Sequence, residues 1–382
     1  MNNNQEFEEW VLTFIADKTH LFSEGFIRQA FSKIEFLPEI LQKDNNQTEH
    51  NLAIWTYINR VVTHERVKKG QYFLASLKYD LNSIAKSYGV SPSILLAIWG
   101  VETSFGQIRG NRKVLSTLAT LAFDGRRREF FVSELIAALT ILHLKFVNQE
   151  DFLGSWAGAM GHTQFMPSSY LSHAVDYDQD GVADIWSENP IDALASTASY
   201  LKNNGWLSGV SWGENVSISQ SFDFALAAPG ITKTVSKWAK LGIICKTLDK
   251  QIYGSIFLPA GVLGPKFLTT PNFEVIKTYN RSNAYALGVA FLSDQIDGQS
   301  APDLKWPEHE KPLMRSEISE LQRLLTVKGC NTQGTDGIIG PNTEKAIRKF
   351  QKQNNLIQDG FHSISFLKFF APNPRQTGST QF

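Results

Sequence analysis

The sequence predicts a mainly helical α+β protein: a long helical region, a small antiparallel sheet inserted after it, and a compact helical module behind a proline-rich connector. Three observations carry this. Apolar residues between 7 and 145 recur at helical spacing. Residues 209–278 break into short β-branched and aromatic runs separated by Gly and Pro. Residues 313–370 hold two copies of one helix-and-turn pattern. With 382 residues the chain has room for roughly two to three domains.

In the first region Trp10, Phe14 and Ile15 share one stripe, and Leu77, Leu81, Ile84 and Ala85 another. The stripe Leu135, Ile136, Leu139, Leu142 and Phe146 is wider and predicts a deeply packed helix. Ser91 is a cap, Pro92 suits the first helical position, and Gly106 suits a left-handed stop. Residues 151–188 read as loop-rich, with Gly154, Gly158, Gly161, Pro167 and Gly181. Asn189 and Pro190 open a helix that runs to Lys202. Val216–Ile218, Ser255–Leu258 and Phe273–Ile276 are the expected strands, with one helix, Val235–Leu241, among them; residues 283–296 return to helix. Pro302, Pro307 and Pro312 mark 298–312 as an extended linker. In the module behind it, Leu321-Gln322 precedes Asp336-Gly337, and Phe350-Gln351 precedes Asp359-Gly360. The tail 371–382 has no periodicity and is expected to be disordered.

Composition excludes several classes. Lys plus Arg and Asp plus Glu are both 37, so the net charge is zero, which argues against a nucleic-acid binder. A hydrophobic share of 42% argues against a disordered chain. The cysteines, Cys245 and Cys330, fall in different predicted domains and leave no disulfide framework or cysteine zinc site. No run approaches the roughly 18 apolar residues of a membrane span. Met1 to Glu9 is polar and acidic, without the features of a secretory signal.

Two segments and one loop could carry chemistry. Glu102 follows Ile98 by four residues and Trp99 by three, so it falls on the apolar stripe of its helix. A carboxyl there is expected to have a raised pKa, as a general acid near neutral pH requires. The plainer reading is a helix-end Glu paired with Arg126, Arg127 or Arg128. The flanking Gly100 and Gly106, which permit close approach by a backbone or a ligand, weigh for the first. Residues 154–170 are too glycine-rich for a helix and too apolar for a surface linker. They suit either a groove wall offering Ser155 and Gln164 to a long polar ligand or a tight structural loop. His162 reads as structural, since no cysteine nucleophile or metal-ligand spacing accompanies it. Asp176-x-Asp178-x-Asp180-Gly181-Val182 has the first positions of a calcium loop, with the Val182 carbonyl at position seven. Position twelve is Ser187 instead of Glu, so calcium and a solvated acidic turn both stand.

The run Gly100-Val101-Glu102-Thr103-Ser104-Phe105-Gly106, with Ala157 to Gly161 and Gln164 to Tyr170 after it, resembles the lytic murein transglycosylase B family. The similarity spans residues 7–296. Residues 313–370 resemble the type 1 peptidoglycan-binding domain through the paired motifs above, Gly340-Pro341, Thr343 and Ala346. The resemblance implies a catalytic region, 7–297, with a lysozyme-like core, a helical domain before it and a small β domain inserted at 209–278. It also implies that 313–370 is a three-helix peptidoglycan-binding module.

The resemblance implies roles as well. Glu102 matches the single catalytic acid/base. Ser155 and Gln164 match groove residues that hold substrate. Arg126 and Arg127 match a paired-arginine segment that contacts saccharide or peptide. Tyr279, Asn280 and Tyr285 match cleft residues, and Tyr57 a further cleft tyrosine. His162 and Thr163 match positions that vary in the family and receive no role. Asp192 matches the residue that closes the metal loop, so Asp176, Asp178, Asp180, Val182 and Asp192 are expected to hold a structural Ca2+; no cofactor is expected for the chemistry. The implied reaction cleaves the β-1,4 bond between N-acetylmuramic acid and N-acetylglucosamine without water, leaving 1,6-anhydromuramic ends. The expected partners are peptidoglycan glycan strands and other cell-wall enzymes, the expected state a monomer, and the expected place the periplasm, where the polymer is. A lysozyme-like hydrolase would need a second carboxylate, which accompanies neither motif: Asp124 and Glu129 lie in a charged run and are expected to pair with arginines. A non-catalytic wall-binding protein would not need Glu102 between its glycines.

Overall fold

A computed structural model describes residues 3–45, 52–125 and 127–370. Arg126 and the tail 371–382 lie outside the described residues. The chain forms two compact units. The first is built from residues up to 45, 61–209 and 288–300. The second is built from 52–60, 210–287 and 301–370.

The first unit begins with α1 (Asn3–Asp17), α2 (Glu24–Phe31) and α3 (Pro38–Asn45). After α4 (Ile54–Val61), which crosses the boundary between the units, come α5 (His64–Ser76), α6 (Lys78–Tyr88) and α7 (Pro92–Thr103). A two-residue strand, β1 (Arg112–Lys113), leads into α8 (Val114–Phe123) and α9 (Arg128–His143). Beyond β2 (Leu153–Gly154), antiparallel to β1, stand α10 (Pro167–His173) and α11 (Ile191–Asn203). Two helices are apolar on every side and are therefore central. In α8 every residue from Val114 to Ala122 is buried, with α1, α3 and α9 around it. In α7 every residue from Ser93 to Gly100 is buried, with α5, α6 and α11 around it. The start of α7 is as the sequence predicts: Ser91 Oγ accepts from the Ile94 amide at 3.4 Å, and Pro92 stands in the first turn.

Two expectations need correction. The helix α9 is deeply packed as expected, but its buried face is turned from the predicted stripe: Phe131, Glu134, Leu135, Ala137, Ala138, Leu139 and Ile141 are buried, whereas Ile136, Leu142 and, beyond the helix, Phe146 are half-buried. Residues 151–188 are loop-rich as expected, with one short helix among them. Pro167 starts α10, whose first turn is capped from outside by Glu134: Oε2 accepts from the Ser168 amide at 2.9 Å and Oε1 from its hydroxyl at 2.6 Å. Phe273–Ile276 is helical, not a strand. It lies in α13 (Pro271–Tyr279), where Thr270 Oγ1 accepts from the Asn272 amide at 3.3 Å and Pro271 fixes the first turn. The capping signal outweighed the β-branched composition.

The second unit holds β3 (Gly213–Asn215), β4 (Ser217–Ile218), β5 (Lys233–Thr234), α12 (Val235–Lys240), β6 (Ile243–Ile244), β7 (Tyr253–Phe257) and β8 (Phe267–Thr269). The main sheet is antiparallel, in the order β3-β8-β7-β5, and β4 pairs with β6. Trp238 of α12 is fully buried on this sheet among Val216, Phe222, Ile243, Ile256 and Leu268, and its indole donates to Gly254 O at 2.8 Å. After α13, α14 (Asn283–Ile296) crosses back to the first unit. Residues 299–314 contain no helix or strand, yet they are anchored in the second unit: Trp306 lies 5.9 Å from Trp55, and Glu310 accepts from the Ser365 amide at 3.4 Å.

The C-terminal module is three helices, α15 (Arg315–Val327), α16 (Pro341–Gln353) and α17 (Ile364–Lys368), around Leu321, Leu325, Cys330, Ile347 and Phe350. The repeat seen in the sequence is one hydrogen-bonding device used twice. Buried Gln322 donates to Asp336 Oδ1 at 2.9 Å and accepts from the Gly337 amide at 2.9 Å. Buried Gln351 donates to Asp359 Oδ1 at 2.7 Å and accepts from the Gly360 amide at 2.9 Å. The module is docked on the inserted β region. Arg348 donates to Phe224 O at 3.4 Å and Ala227 O at 2.9 Å, and Asp359 Oδ2 accepts from the Val262 amide at 3.1 Å. Both cysteines are free thiols.

Replacing Gln351 by Leu leaves the buried Gly360 amide without its acceptor. The expected loss is about 1–3 kcal/mol of module stability. It is read as faster hydrogen exchange at Gly360 and an earlier denaturation midpoint for the module; an unchanged midpoint contradicts the device.

Candidate active site

Glu102 stands half-buried in the last turn of α7, on the stripe of the buried Ile98 and Trp99. The helix stops sooner than Gly106. Ser104, Phe105 and Gly106 are all left-handed, with φ of 51°, 59° and 79°. The Ser104 amide bonds to Gly100 O at 3.2 Å and the Phe105 amide to Trp99 O at 3.3 Å, closing the helix end. This sharp reversal is gripped from α5, where Arg66 donates to Ser104 Oγ and Lys69 to Ser104 O, each at 3.3 Å. The flanking glycines admit side chains of the chain itself, where a backbone or a ligand was expected. A Cβ on Gly100 would stand 2.8 Å from the Phe105 ring, and one on Gly106 would stand 2.6 Å from the His162 ring.

Thr103, the next residue after Glu102, joins this helix end to the glycine-rich segment. Its hydroxyl donates to His162 O at 2.6 Å and accepts from the Gly106 amide at 2.9 Å. The segment itself is rigid. Ser155 Oγ accepts from the Ala159 amide at 3.1 Å and the Ala157 amide at 3.4 Å. Met160 and Phe165 exchange backbone bonds of 2.8 and 3.0 Å. Gln164, left-handed at φ 56°, donates to Arg109 O at 3.1 Å and Gly161 O at 3.0 Å. Ser155 therefore uses its oxygen on the loop, and Gln164 uses its amide nitrogen. What each retains for another partner is a hydroxyl proton and an amide oxygen.

The buried carboxylates among the described residues of the first unit are Asp44, Glu134 and Asp192. Each is engaged. Asp44 pairs with Arg127 at 2.6 Å, and that guanidinium also lies 4.9 Å over the Phe131 ring. Glu134 caps α10 through Ser168. Asp192 accepts from the Tyr177 and Asp184 amides, both at 2.9 Å. Glu134 escaped the sequence reading although it stands three residues after Phe131 and one before Leu135, on a buried stripe. Arg109, which ties Gln164 to the segment through its carbonyl, gave no local signal.

The remaining residues expected in the cleft belong to the second unit. Tyr57 is half-buried on α4. Tyr279 ends α13, and Asn280 caps the following turn by accepting from the Ser282 amide at 3.1 Å. Tyr285, buried in α14, donates its amide to Ser282 Oγ at 3.3 Å.

In the aspartate loop, Asp176, Asp178 and Asp192 each present an oxygen within 4.8 Å of the others. Asp180 falls outside that carboxylate cluster: it is exposed, and its Oδ1 accepts from the Val182 amide at 3.0 Å. Burial pushes the Asp192 carboxyl above its usual range, while the Tyr177 and Asp184 amides pull it back. Asp184 holds the exit of the loop by accepting from the Trp186 amide at 2.8 Å and the Ser187 amide at 3.0 Å. Among the described residues no single helix is long and apolar enough to cross a membrane.

Residues 6–294 match the transglycosylase SLT domain family, and residues 314–362 match the peptidoglycan binding domain family. The membrane-bound lytic murein transglycosylase B of Escherichia coli is 32% identical over 312 residues, which cover 77% of this chain and 83% of that protein. Pseudomonas aeruginosa SltB3, solved in complex with NAG-anhNAM-pentapeptide, superposes with a TM-score of 0.90 at 38% identity, over 96% of this chain and 99% of that one. The E. coli lytic transglycosylase Slt35, solved in complex with calcium, gives a TM-score of 0.64 at 32% identity, over 75% of this chain and 92% of that one. The chain thus belongs to the SLT family of lytic murein transglycosylases, enzymes that act on peptidoglycan, and carries a peptidoglycan-binding domain at its C-terminal end.

Proposed function

We propose that Glu102 is the single acid/base of this transglycosylase, serving both proton transfers of one turnover. The observation that carries this is the pairing of Glu102, fixed at the end of a helix buried from Ser93 to Gly100, with the prior engagement of the buried carboxylates Asp44, Glu134 and Asp192. A two-carboxylate glycosidase needs a second carboxyl as nucleophile or base. With one carboxyl, the substrate supplies the other group. Glu102 gives a proton to the leaving glycosidic oxygen while the N-acetyl oxygen of the muramic sugar stabilises the positive C1. Glu102, now a carboxylate, takes the proton of the C6 hydroxyl as that oxygen bonds to C1. The C1–O bond to the leaving sugar breaks, the C1–O6 bond forms, and no water enters. Such an intramolecular closure needs little beyond orientation.

In this reading Ser155 and Gln164 hold the sugar beside Glu102, one donating and one accepting. Arg126 and Arg127 are read as contacts for saccharide or stem peptide, and Tyr57, Tyr279, Asn280 and Tyr285 as further substrate-contacting residues. The aspartate loop suits a hard cation. Three carboxylate oxygens held within 4.8 Å repel one another unless a cation sits among them. Asp176, Asp178 and Asp192 would hold Ca2+, which brings structure to the loop and no chemistry to the reaction. The docked module adds a second contact with the wall and raises the effective concentration of the strand. Because polymeric peptidoglycan lies outside the inner membrane, the periplasm is where this enzyme would work.

Glu102→Gln keeps the shape of a protonated Glu but can neither give nor take the proton. Turnover of sacculi is expected to fall by at least about 10²–10⁴-fold, with fold and sacculus binding retained. Product mass analysis reads it: wild type releases ends lacking one water, and near wild-type release by the variant refutes the role. Adding Ca2+ to chelator-treated protein is expected to raise Tm. At a free concentration one hundred times Kd the gain is about 2.7 kcal/mol. An unchanged Tm contradicts the metal reading.

A further inference from the structure

His162 has no part in the mechanism above, yet it occupies the junction on which Glu102 depends. It is 3% exposed. The Trp99 indole Nε1 donates to its Nδ1 at 3.0 Å. An indole N–H can only donate, so Nδ1 is the acceptor and the ring proton sits on Nε2. There it meets Ser187 O at 2.7 Å. Arg109 Nη1, 3.4 Å from Nε2, is a donor facing a donor; its acceptors are Trp186 O and Ser187 O, both at 2.7 Å. Burial pushes the imidazole below its usual pKa, which keeps the ring in the neutral form that both bonds need.

The backbone of His162 makes the same connection. Its amide donates to Ile185 O at 3.1 Å, and its carbonyl accepts from Thr103 Oγ1 at 2.6 Å. Its ring also fills the space where a side chain on Gly106 would stand. One residue thus holds α7 at Trp99 and Thr103, packs on the turn that ends it, and ties both to the strand of backbone leaving the aspartate loop.

We propose that His162 is a positioning residue for Glu102, locking the last turn of α7 to the backbone of residues 185–187. This rests on the reading of Glu102 as acid/base. Glu102 adjoins Thr103, so a shift of that turn moves the carboxyl relative to the glycosidic oxygen. A displacement of about 1 Å can cost about 10²-fold in rate without any lost substrate contact. The loss therefore belongs in kcat.

The test is steady-state release of anhydro ends from soluble, uncrosslinked peptidoglycan strands by the full chain. His162→Phe keeps bulk and removes both ring bonds. It is expected to lower kcat by about 10–100-fold, with KM within about twofold of wild type. His162→Gln, which keeps a donor within reach of Ser187 O, recovers most of that loss. Thr103→Val tests the same lock from the helix side if His162→Phe does not fold, and it lowers kcat in the same way. A kcat near wild type in the folded variants, a loss that falls on KM, or a loss that Gln leaves unrelieved overturns the proposal. Glu102→Gln in the same assay separates the two readings. If it is inactive while His162→Phe is fully active, only the positioning role fails. If it turns over, the acid/base reading fails and the positioning role with it.

Discussion

The placement of Glu102 depends on a helix with no free face. From Ser93 to Gly100 every residue of α7 is buried. Ile94, Leu95, Ile98 and Trp99 each gain about 1.5–3 kcal/mol or more by leaving water. A helix held this way cannot slide or roll to accommodate a carboxylate. The only place along it for a charged group that must reach substrate is its end, and that is where Glu102 stands. The reversal behind it must then be abrupt. Two of its three left-handed residues are not glycine, and such conformations cost of order 1–3 kcal/mol each. They persist because Arg66 and Lys69 of α5 and Thr103 at the helix end bond to the turn.

The glycine-rich segment obeys the same constraint from the other side. A wall that offers polar groups to a sugar has to be stiff, or the groups collapse onto the backbone they came from. Here Ser155 and Gln164 do bond to that backbone, but each with only part of its capacity. The part used stiffens the loop, and the part left over is what a ligand can meet. In the aspartate loop Asp178 and Asp180 are exposed, and of its carboxylates only Asp192 is buried. The two ends of the loop are closed by Asp192 and Asp184 on backbone amides.

The C-terminal module shows how far a sequence repeat reflects a physical device. Gln322 and Gln351 are both buried, and each closes an Asp-Gly turn with one donated and one accepted bond. Buried amides are tolerated only when satisfied, so the Gln and the turn must be kept as a pair. Arg348 then extends α16 beyond the module and onto the carbonyls of Phe224 and Ala227. The proline-rich connector accordingly ends in packed contacts on both sides, through Trp306 and Glu310.

The sequence by itself determined the helical class, the start of α7, the inserted sheet, and the two helix-and-turn halves of the C-terminal module, because periodicity, capping residues and turn glycines act within a few positions of one another; the third helix of that module was implied by the resemblance. It also singled out Glu102 and the aspartate loop, since an apolar stripe interrupted by a carboxyl and an Asp-x-Asp-x-Asp-Gly run are visible locally. It misjudged Phe273–Ile276, where Thr270 and Pro271 outweigh β-forming side chains. Tertiary structure alone decided what the glycines beside Glu102 make room for, how near Asp192 comes to Asp176 and Asp178, and that Glu134 is used as a cap. Each of these partnerships, apart from Gly100 with Phe105, joins residues well apart in the chain. No local period records such a meeting; it exists only once burial has brought the two segments together and left their polar atoms nowhere else to bond.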